Sequence, residues 1–221
     1  MPIIVKICGL STTNTMNAAL DAGADMVGLV FFPKSPRHVS METARDLAAL
    51  ARGRAEIVAL TVDADDALLG EIVDQVAPDW LQLHGSESPE RVREIRERFE
   101  TPVMKAFGIR ERDDLKAVSR YVGIADRILF DSKPPRDAEV PGGSGKRFDW
   151  RLMENLDLDV PFMLSGGLDA DNVAEALDIT GAGAVDVSSG VEAERGVKDA
   201  RLIRRFIETV HRVDPERSAF D

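Results

Sequence analysis

Residues Ile3–Phe32 read IIVKICGLSTTNTMNAALDAGADMVGLVFF. The apolar runs Ile3–Cys8 and Met26–Phe32 are rich in the β-branched and aromatic residues typical of buried strands. Between them, Thr13–Ala22 has the spacing of an amphipathic helix. A strand, a helix and a second strand in this order predict a βαβ unit with parallel strands and a right-handed crossover.

The same alternation continues to the end of the chain. Strands are predicted at Ile3–Cys8, Met26–Phe32, Ile57–Val62, Trp80–His84, Val103–Phe107, Arg127–Asp131, Phe162–Ser165 and Ala184–Ser188. Helices are predicted at Thr13–Ala22, Met41–Arg52, Asp65–Val76, Pro89–Phe99, Arg112–Val122, Asp149–Leu156, Asp171–Asp178 and Asp199–Val213. Ser40, Ser88 and Asp199 stand where helix N-caps are expected. Eight βα units of roughly 28 residues predict an α/β fold, a single-domain (β/α)8 TIM barrel over residues 1–221, with a doubly wound open sheet as the alternative.

Composition excludes several classes of protein. The 221 residues include 28 basic and 39 acidic side chains, for a net charge of −11. This acidic balance and the few aromatic residues disfavour nucleic-acid binding. No apolar run approaches the roughly 18 residues of a membrane helix, and Met1–Leu10 lacks the pattern of a secretory signal. We therefore expect a cytoplasmic protein that contacts no membrane.

Cys8 is the single cysteine, which excludes an internal disulfide and a cysteine-based zinc site. The three histidines, His38, His84 and His211, lack metal-ligand spacing, so no metal is predicted. Cys8 lies two residues after Lys6, on the same face of an extended strand. A nearby ammonium would lower the pKa of the thiol from about 8.5 toward neutrality. A buried inert thiol and a reactive thiolate both remain open.

In parallel barrels the functional residues lie at the carboxyl ends of the strands and in the loops that follow. Polar and glycine residues at these predicted ends are Lys6, Cys8, Arg37, Gln82, His84, Asp131, Ser165, Gly166, Gly167, Asp186, Ser188, Ser189 and Gly190. The glycines after strands 7 and 8 permit close approach of backbone N–H groups to an anion. These two loops therefore predict a phosphate site, although the same residues also form ordinary turns.

Asp131 ends an apolar strand, where partial loss of solvation suits a general acid, although it could instead cap the next turn. The segment Ser132–Arg147, rich in proline and glycine, is predicted to be a lid over the site. Arg37 could bind a carboxylate through its planar fork, or lie solvated at the surface. Gln82 and His84 share one strand face, and His84 could position a ligand or simply occupy the rim.

Together these residues resemble the phosphoribosylanthranilate isomerase family, a TIM-barrel family of tryptophan biosynthesis. The resemblance rests on strings that occur in order along nearly the whole chain: Lys6–Gly9 (KICG), Phe31–Arg37 (FFPKSPR), Leu81–Gly85 (LQLHG), Phe130–Ser132 (FDS), Gly142–Trp150 (GGSGKRFDW), Leu164–Leu168 (LSGGL), Asn172–Val173 (NV) and Asp186–Glu192 (DVSSGVE). The chain departs from the family at Ser165 and Ser144, where alanine and threonine are usual.

The resemblance implies an Amadori rearrangement of N-(5-phosphoribosyl)anthranilate that needs no cofactor. By the same carry-over, Asp131 is the general acid, Cys8 is the general base and Arg37 holds the anthranilate carboxylate. The phosphate would lie on the backbone of Gly167, Ser188, Ser189 and Gly190. The expected partner is a phosphorylated small molecule, and the chain could be a monomer or a homodimer.

Two alternatives remain at this stage. The first is a related phosphosugar isomerase of histidine biosynthesis, or a form that acts on both substrates. Such enzymes resemble a barrel with an aspartate base where Cys8 stands, so the cysteine argues against them. The second is a non-catalytic barrel that binds a phosphorylated ligand, in which Cys8 or Asp131 would be dispensable.

Overall fold

A computed structural model describes residues 2–133, 147–154, 156, 158–214 and 216. Eight parallel strands form a closed barrel, each paired with the next and the last with the first. They are β1 (Ile4–Cys8), β2 (Met26–Val30), β3 (Glu56–Thr61), β4 (Trp80–Leu83), β5 (Val103–Ile109), β6 (Arg127–Ser132), β7 (Phe162–Leu164) and β8 (Ala184–Val187). The closed barrel confirms the predicted (β/α)8 fold and rules out an open sheet.

The α-helices are α1 (Thr13–Asp21), α2 (Met41–Ala51), α3 (Asp66–Val76), α4 (Pro89–Phe99), α5 (Val173–Thr180) and α6 (Ala200–Val213). The predicted N-caps Ser40, Ser88 and Asp199 are confirmed, because each side chain accepts a hydrogen bond from a backbone N–H in the first turn. These bonds satisfy donors that would otherwise have no partner within the helix.

Two predicted α-helices are wrong in type. Arg112–Val122 is a 3-10 helix over Arg112–Tyr121, and Asp149–Leu156 contains a 3-10 helix of only four residues, Trp150–Met153. The first of these buries only Val118 and Tyr121. Their spacing of three residues stacks their side chains on one edge of a 3-10 helix, and a wider apolar face that would favour an α-helix is missing.

A short antiparallel hairpin follows β8 and was not predicted. A 3-10 turn at Ser189–Val191 leads into β9 (Glu192–Glu194), which pairs with β10 (Val197–Lys198). Its strands are too short and polar to show a period of two in the sequence. The predicted lid, Ser132–Arg147, lies outside the described residues except for positions 132, 133 and 147.

Alternation along the strands divides the core into two regions. Outward residues such as Val5 and Ile7 pack against the helices. Inward residues fill the lower barrel with the apolar side chains Met26, Val58, Met104, Leu129, Met163 and Ala184. Near the carboxyl ends the inward positions become Cys8, Val30 and Leu60, beside polar residues. The barrel is therefore packed below and opens into a pocket above.

In the described part of the chain, no helix is both long and apolar enough to cross a bilayer.

Candidate active site

A cavity of about 670 Å³, including space open to solvent, lies at the carboxyl ends of the barrel strands. Its lining contains eleven of the thirteen residues predicted at the strand ends: Cys8, Arg37, Gln82, His84, Asp131, Ser165, Gly166, Gly167, Asp186, Ser188 and Ser189. Lys6 and Gly190 are the other two, and neither lines this cavity. The barrel thus brings together residues from the first strand to the last.

Lys6 lies beneath the cavity and not in its wall. It is fully buried, and its Nζ donates to Asp186 Oδ1 over 2.7 Å. The parallel register places these two residues directly beside each other on β1 and β8. The second oxygen of Asp186, Oδ2, accepts from the Ser165 hydroxyl over 2.9 Å. Burial alone would lower the pKa of Lys6, but the charges of Asp186 and Cys8 outweigh it and raise that pKa, so Lys6 stays cationic.

The thiol of Cys8 is only 4% exposed. Burial raises its pKa above the usual cysteine value, and Asp186 raises it further. Lys6 and Lys198 act in the opposite direction, since their positive charges favour the thiolate. The expectation that Lys6 brings this pKa toward neutrality is therefore wrong, because desolvation of the sulfur is the larger effect.

Asp131, His84 and Gln82 form a polar row on one side of the cavity. Asp131 is 5% exposed, and its Oδ2 lies 3.4 Å from His84 Nε2. Its Oδ1 accepts from the Ser132 N–H over 2.7 Å, so the carboxylate also caps the start of the next segment. Gln82 Nε2 lies 3.2 Å from His84 Nδ1. Gln82 Oε1 is buried and has no hydrogen-bond partner among the described residues, which suits it to accept from a bound ligand.

Glycines in the loops after β7 and β8 stand where neighbouring backbone lies too close for a side chain. Gly166 has φ +88°, and a Cβ there would lie 2.4 Å from the Ser132 nitrogen. A Cβ on Gly190 would lie 1.9 Å from the carbonyl oxygen of Leu168. Gly190 lies outside the cavity lining, and its lack of a Cβ permits the close approach of the two loops. Ser188 and Ser189 remain in the wall, where the phosphate site is predicted.

Arg37 lines the cavity and is held there by contacts that were not predicted. Its Nε and Nη2 donate to the two carboxylate oxygens of Glu192 over 2.6 and 2.9 Å. Glu192 also accepts from Lys198 Nζ over 2.7 Å. Sequence reasoning assigned no role to Glu192 or Lys198, because a contact across 155 residues of chain has no local signal.

An apolar wall faces these polar groups. It consists of Val30, Phe32, Leu60 and Val62. These residues were not among the predicted site residues, although two alternating pairs at the ends of β2 and β3 were a usable signal for an inward apolar surface. The wall suits a flat aromatic ring. Across the described ranges, no group of three or more His, Cys, Asp or Glu side chains is placed to hold a metal ion.

Comparisons with known proteins agree with this geometry. The family model described as N-(5'-phosphoribosyl)anthranilate (PRA) isomerase matches residues 5–209. A protein named N-(5'-phosphoribosyl)anthranilate isomerase from Rhodopseudomonas palustris (strain BisA53) is 64% identical over 207 residues, covering 94% of this chain and 95% of that protein. One of the same name from Brucella canis is 59% identical over 210 residues, covering 95% of each.

Solved structures of phosphoribosyl anthranilate isomerases are also similar to this chain. Phosphoribosyl anthranilate isomerase from Thermotoga maritima superposes with a TM-score of 0.85 at 38% identity, covering 94% of this chain and 98% of that one. Another phosphoribosyl anthranilate isomerase, in complex with reduced 1-(o-carboxyphenylamino)-1-deoxyribulose 5-phosphate, has a TM-score of 0.81 at 34% identity with the same coverage. The resemblance seen in the sequence is confirmed: the chain belongs to the N-(5'-phosphoribosyl)anthranilate isomerase family.

Proposed function

We propose that this protein converts N-(5'-phosphoribosyl)anthranilate to 1-(2-carboxyphenylamino)-1-deoxyribulose 5-phosphate, an Amadori rearrangement in tryptophan biosynthesis. Family membership supports the reaction, and a homologous structure carries the reduced form of this product. The observation that carries the proposal is that Cys8 and Asp131 line one cavity, which also contains Arg37 and an apolar wall. The thiol supplies the base and the carboxyl group supplies the acid that this reaction needs. The cation and the apolar surface match the carboxylate and the aromatic ring of the substrate.

The cavity suggests how the substrate lies. The anthranilate ring packs against the wall formed by Val30, Phe32, Leu60 and Val62, with its carboxylate toward Arg37. The phosphate lies on the backbone of the loops that contain Gly167, Ser188 and Ser189. Since the phosphate and the aryl group stand at opposite ends of the substrate, these contacts leave the ribose between Cys8 and Asp131.

The reaction then begins with two proton transfers by the enzyme. Asp131, as the acid, gives a proton to the furanose ring oxygen while the bond from that oxygen to C1 breaks, which leaves an iminium. The Cys8 thiolate, as the base, removes the proton on C2 and yields an enolamine. Return of a proton to C1 and loss of the enol proton give the ketone with no net change in protons. A well-placed general acid or base contributes about 10² to 10⁴ in rate.

Lys6 and Asp186 support the base from below. Burial raises the pKa of Cys8, so forming the thiolate in this desolvated position costs free energy. The Lys6 ammonium offsets part of this cost. Asp186 fixes that ammonium at 2.7 Å and keeps it charged. A cofactor has no part in this scheme, since protons alone move. We further propose a cytoplasmic protein, acting as a monomer or a homodimer.

The test follows the fluorescence of freshly prepared phosphoribosylanthranilate after addition of enzyme. We expect rapid loss of fluorescence with the wild-type protein, and a loss of activity of several orders of magnitude in Cys8→Ala and in Asp131→Asn. Arg37→Ala should raise KM. The proposal of acid and base is wrong if both of the first two variants keep near-wild-type rates, and an unchanged KM in Arg37→Ala would refute the carboxylate contact.

A further inference from the structure

Glu192, the first residue of β9, has both carboxylate oxygens occupied. Oε1 accepts from Arg37 Nε over 2.6 Å and from Lys198 Nζ over 2.7 Å. Oε2 accepts from Arg37 Nη2 over 2.9 Å and from the Gly196 N–H over 3.0 Å. Its side chain is 4% exposed, yet it does not line the cavity. Glu192 therefore acts on the cavity only through the residues that it holds.

The two carboxylate oxygens of Glu192 fix the plane of the Arg37 guanidinium. A bidentate fork between a guanidinium and a carboxylate is planar and directional. The stem of Arg37 is held as well, because it packs on Gly9, where a Cβ would lie 2.7 Å from Arg37 Cδ. Because both its stem and its guanidinium are held, Arg37 is already oriented in the cavity wall. A ligand therefore binds without the entropy cost of ordering this side chain.

Through Lys198 the same carboxylate reaches the loop after β8. Lys198 Nζ donates to the Ser188 carbonyl oxygen over 2.8 Å and lies 3.0 Å from the Ser188 hydroxyl oxygen. That hydroxyl donates to the Cys8 carbonyl oxygen over 3.1 Å. Lys198 is thus a buried link between Glu192 and the loop on which the phosphate is proposed to lie. The two cations, Arg37 and Lys198, would repel each other without the shared anion.

We propose that Glu192 is a positioning residue that couples the two ends of the substrate site, orienting Arg37 for the aromatic carboxylate and, through Lys198, the Ser188 loop for the phosphate. This inference rests on the proposed function. The two cations lower the pKa of Glu192 to about 2 against the effect of burial, so it stays ionised wherever the enzyme works. The arrangement is therefore in place before a ligand arrives.

The first test is Glu192→Gln, which keeps the shape of the side chain and removes its charge. We expect KM for phosphoribosylanthranilate to rise about tenfold or more with kcat within about threefold, because ground-state positioning is lost and the acid and base are untouched. Competitive inhibition by anthranilate and by inorganic phosphate, measured separately, should both weaken. The added loss from Glu192→Gln should be smaller in an Arg37→Ala background, because only the effect through Lys198 then remains to be lost.

The second test is Lys198→Gln, which removes the link to Ser188 and leaves the Arg37–Glu192 ion pair in place. It can be interpreted even if Glu192→Gln does not fold. Inhibition by inorganic phosphate should weaken at least fivefold, and inhibition by anthranilate should stay within twofold. A matched control is Asp214→Asn, since Asp214 is a buried carboxylate at the opposite end of the barrel that accepts from the Ile3 N–H over 2.7 Å. It should lower Tm and leave KM unchanged.

Titration with reduced 1-(o-carboxyphenylamino)-1-deoxyribulose 5-phosphate separates the two proposals, since binding needs no turnover. A wild-type protein that neither binds this compound nor consumes phosphoribosylanthranilate overturns the proposed function and this inference with it. An active wild-type protein whose Glu192→Gln variant keeps its KM and its affinity for the compound overturns this inference alone. The same follows if Lys198→Gln weakens both inhibitors equally or neither.

Discussion

At the scale of single residues, burial and charge decide what Cys8 can do. Its sulfur is nearly enclosed, and removal from water disfavours the thiolate more than the neighbouring cations favour it. Sequence spacing revealed the Lys6 ammonium but not the extent of burial or the carboxylate of Asp186 beside it. A thiol with a raised pKa is a poorer nucleophile at neutral pH, yet a stronger base once it is ionised.

The pH dependence of Cys8 alkylation tests this balance. Since only the thiolate reacts, the rate with iodoacetamide should rise with pH. Lys6→Met removes a cation that lowers the thiol pKa, so alkylation should become several-fold slower at pH 7.5 and its profile should move to higher pH. Asp186→Asn removes a charge that raises that pKa and should move the profile the other way. Mass spectrometry of the single cysteine measures both.

Profiles that do not move in either variant would show that Lys6 and Asp186 leave the thiol unaffected. A shift in the same direction in both would show instead that the substitutions act through a general change in burial. Thermal melts of the two variants provide the control, because a folded barrel is needed for the comparison.

At the scale of elements, the loops after β7 and β8 depend on a close backbone contact. Both strands are short, with three and four residues. Gly190 permits the contact because it has no Cβ. Any side chain at this position would overlap the backbone of the loop after β7. The βα loops can vary in a barrel, but two loops that share one ligand must keep their separation.

The substitution Gly190→Ala should therefore damage the phosphate site. A Cβ at 1.9 Å from the Leu168 carbonyl oxygen forces the loops apart, and we expect KM for phosphoribosylanthranilate and the inhibition constant for inorganic phosphate to rise about tenfold or more. The matched control is Gly183→Ala, just before the same strand, where a Cβ meets nothing within 4 Å. Steady-state kinetics should show the control to be near wild type, and equal kinetics in both variants would contradict the close-contact argument.

At the scale of the whole molecule, a protein with a net charge of −11 must bind an anionic substrate. The proposed solution is local: Arg37 and Lys198 lie at the mouth of the barrel, with Glu192 compensating both. Because these three residues join the loop after β2 to the hairpin after β8, their ion pairs link distant segments of the folded chain. Stability in acid is then linked to the ionisation of Glu192.

The free energy of unfolding should show this link. The folded-state pKa of Glu192 is depressed to about 2, so its contribution is complete above the unfolded-state pKa near 4.5 and is lost as pH falls toward 2. By linkage, roughly 3 kcal/mol is at stake, of which about 2 kcal/mol is lost by pH 3. Urea unfolding should therefore show the stability difference between wild type and Glu192→Gln shrinking from pH 6 to pH 3. A difference independent of pH would contradict this assignment.

Much of the architecture could be predicted because the relevant signals are local. The alternation of apolar runs and amphipathic stretches placed all eight barrel strands within one or two residues of their ends. It also placed eleven of the thirteen predicted site residues at the mouth of the barrel, since inward and outward positions follow a period of two. Helix type was less certain, because Arg112–Tyr121 has too narrow an apolar face to select an α-helix.

The sequence by itself determined the succession of strands and helices, the polar residues at the carboxyl ends of the strands and the family, whereas closure of the sheet was decided by the tertiary structure. Only the tertiary structure decided which of those residues touch: Lys6 with Asp186, His84 near Asp131, and Arg37 with Glu192. It also decided that burial outweighs Lys6 at the Cys8 thiol. The physical reason is range, because periodicity is read within a few residues, whereas ion pairing and desolvation depend on segments that meet only when the barrel closes.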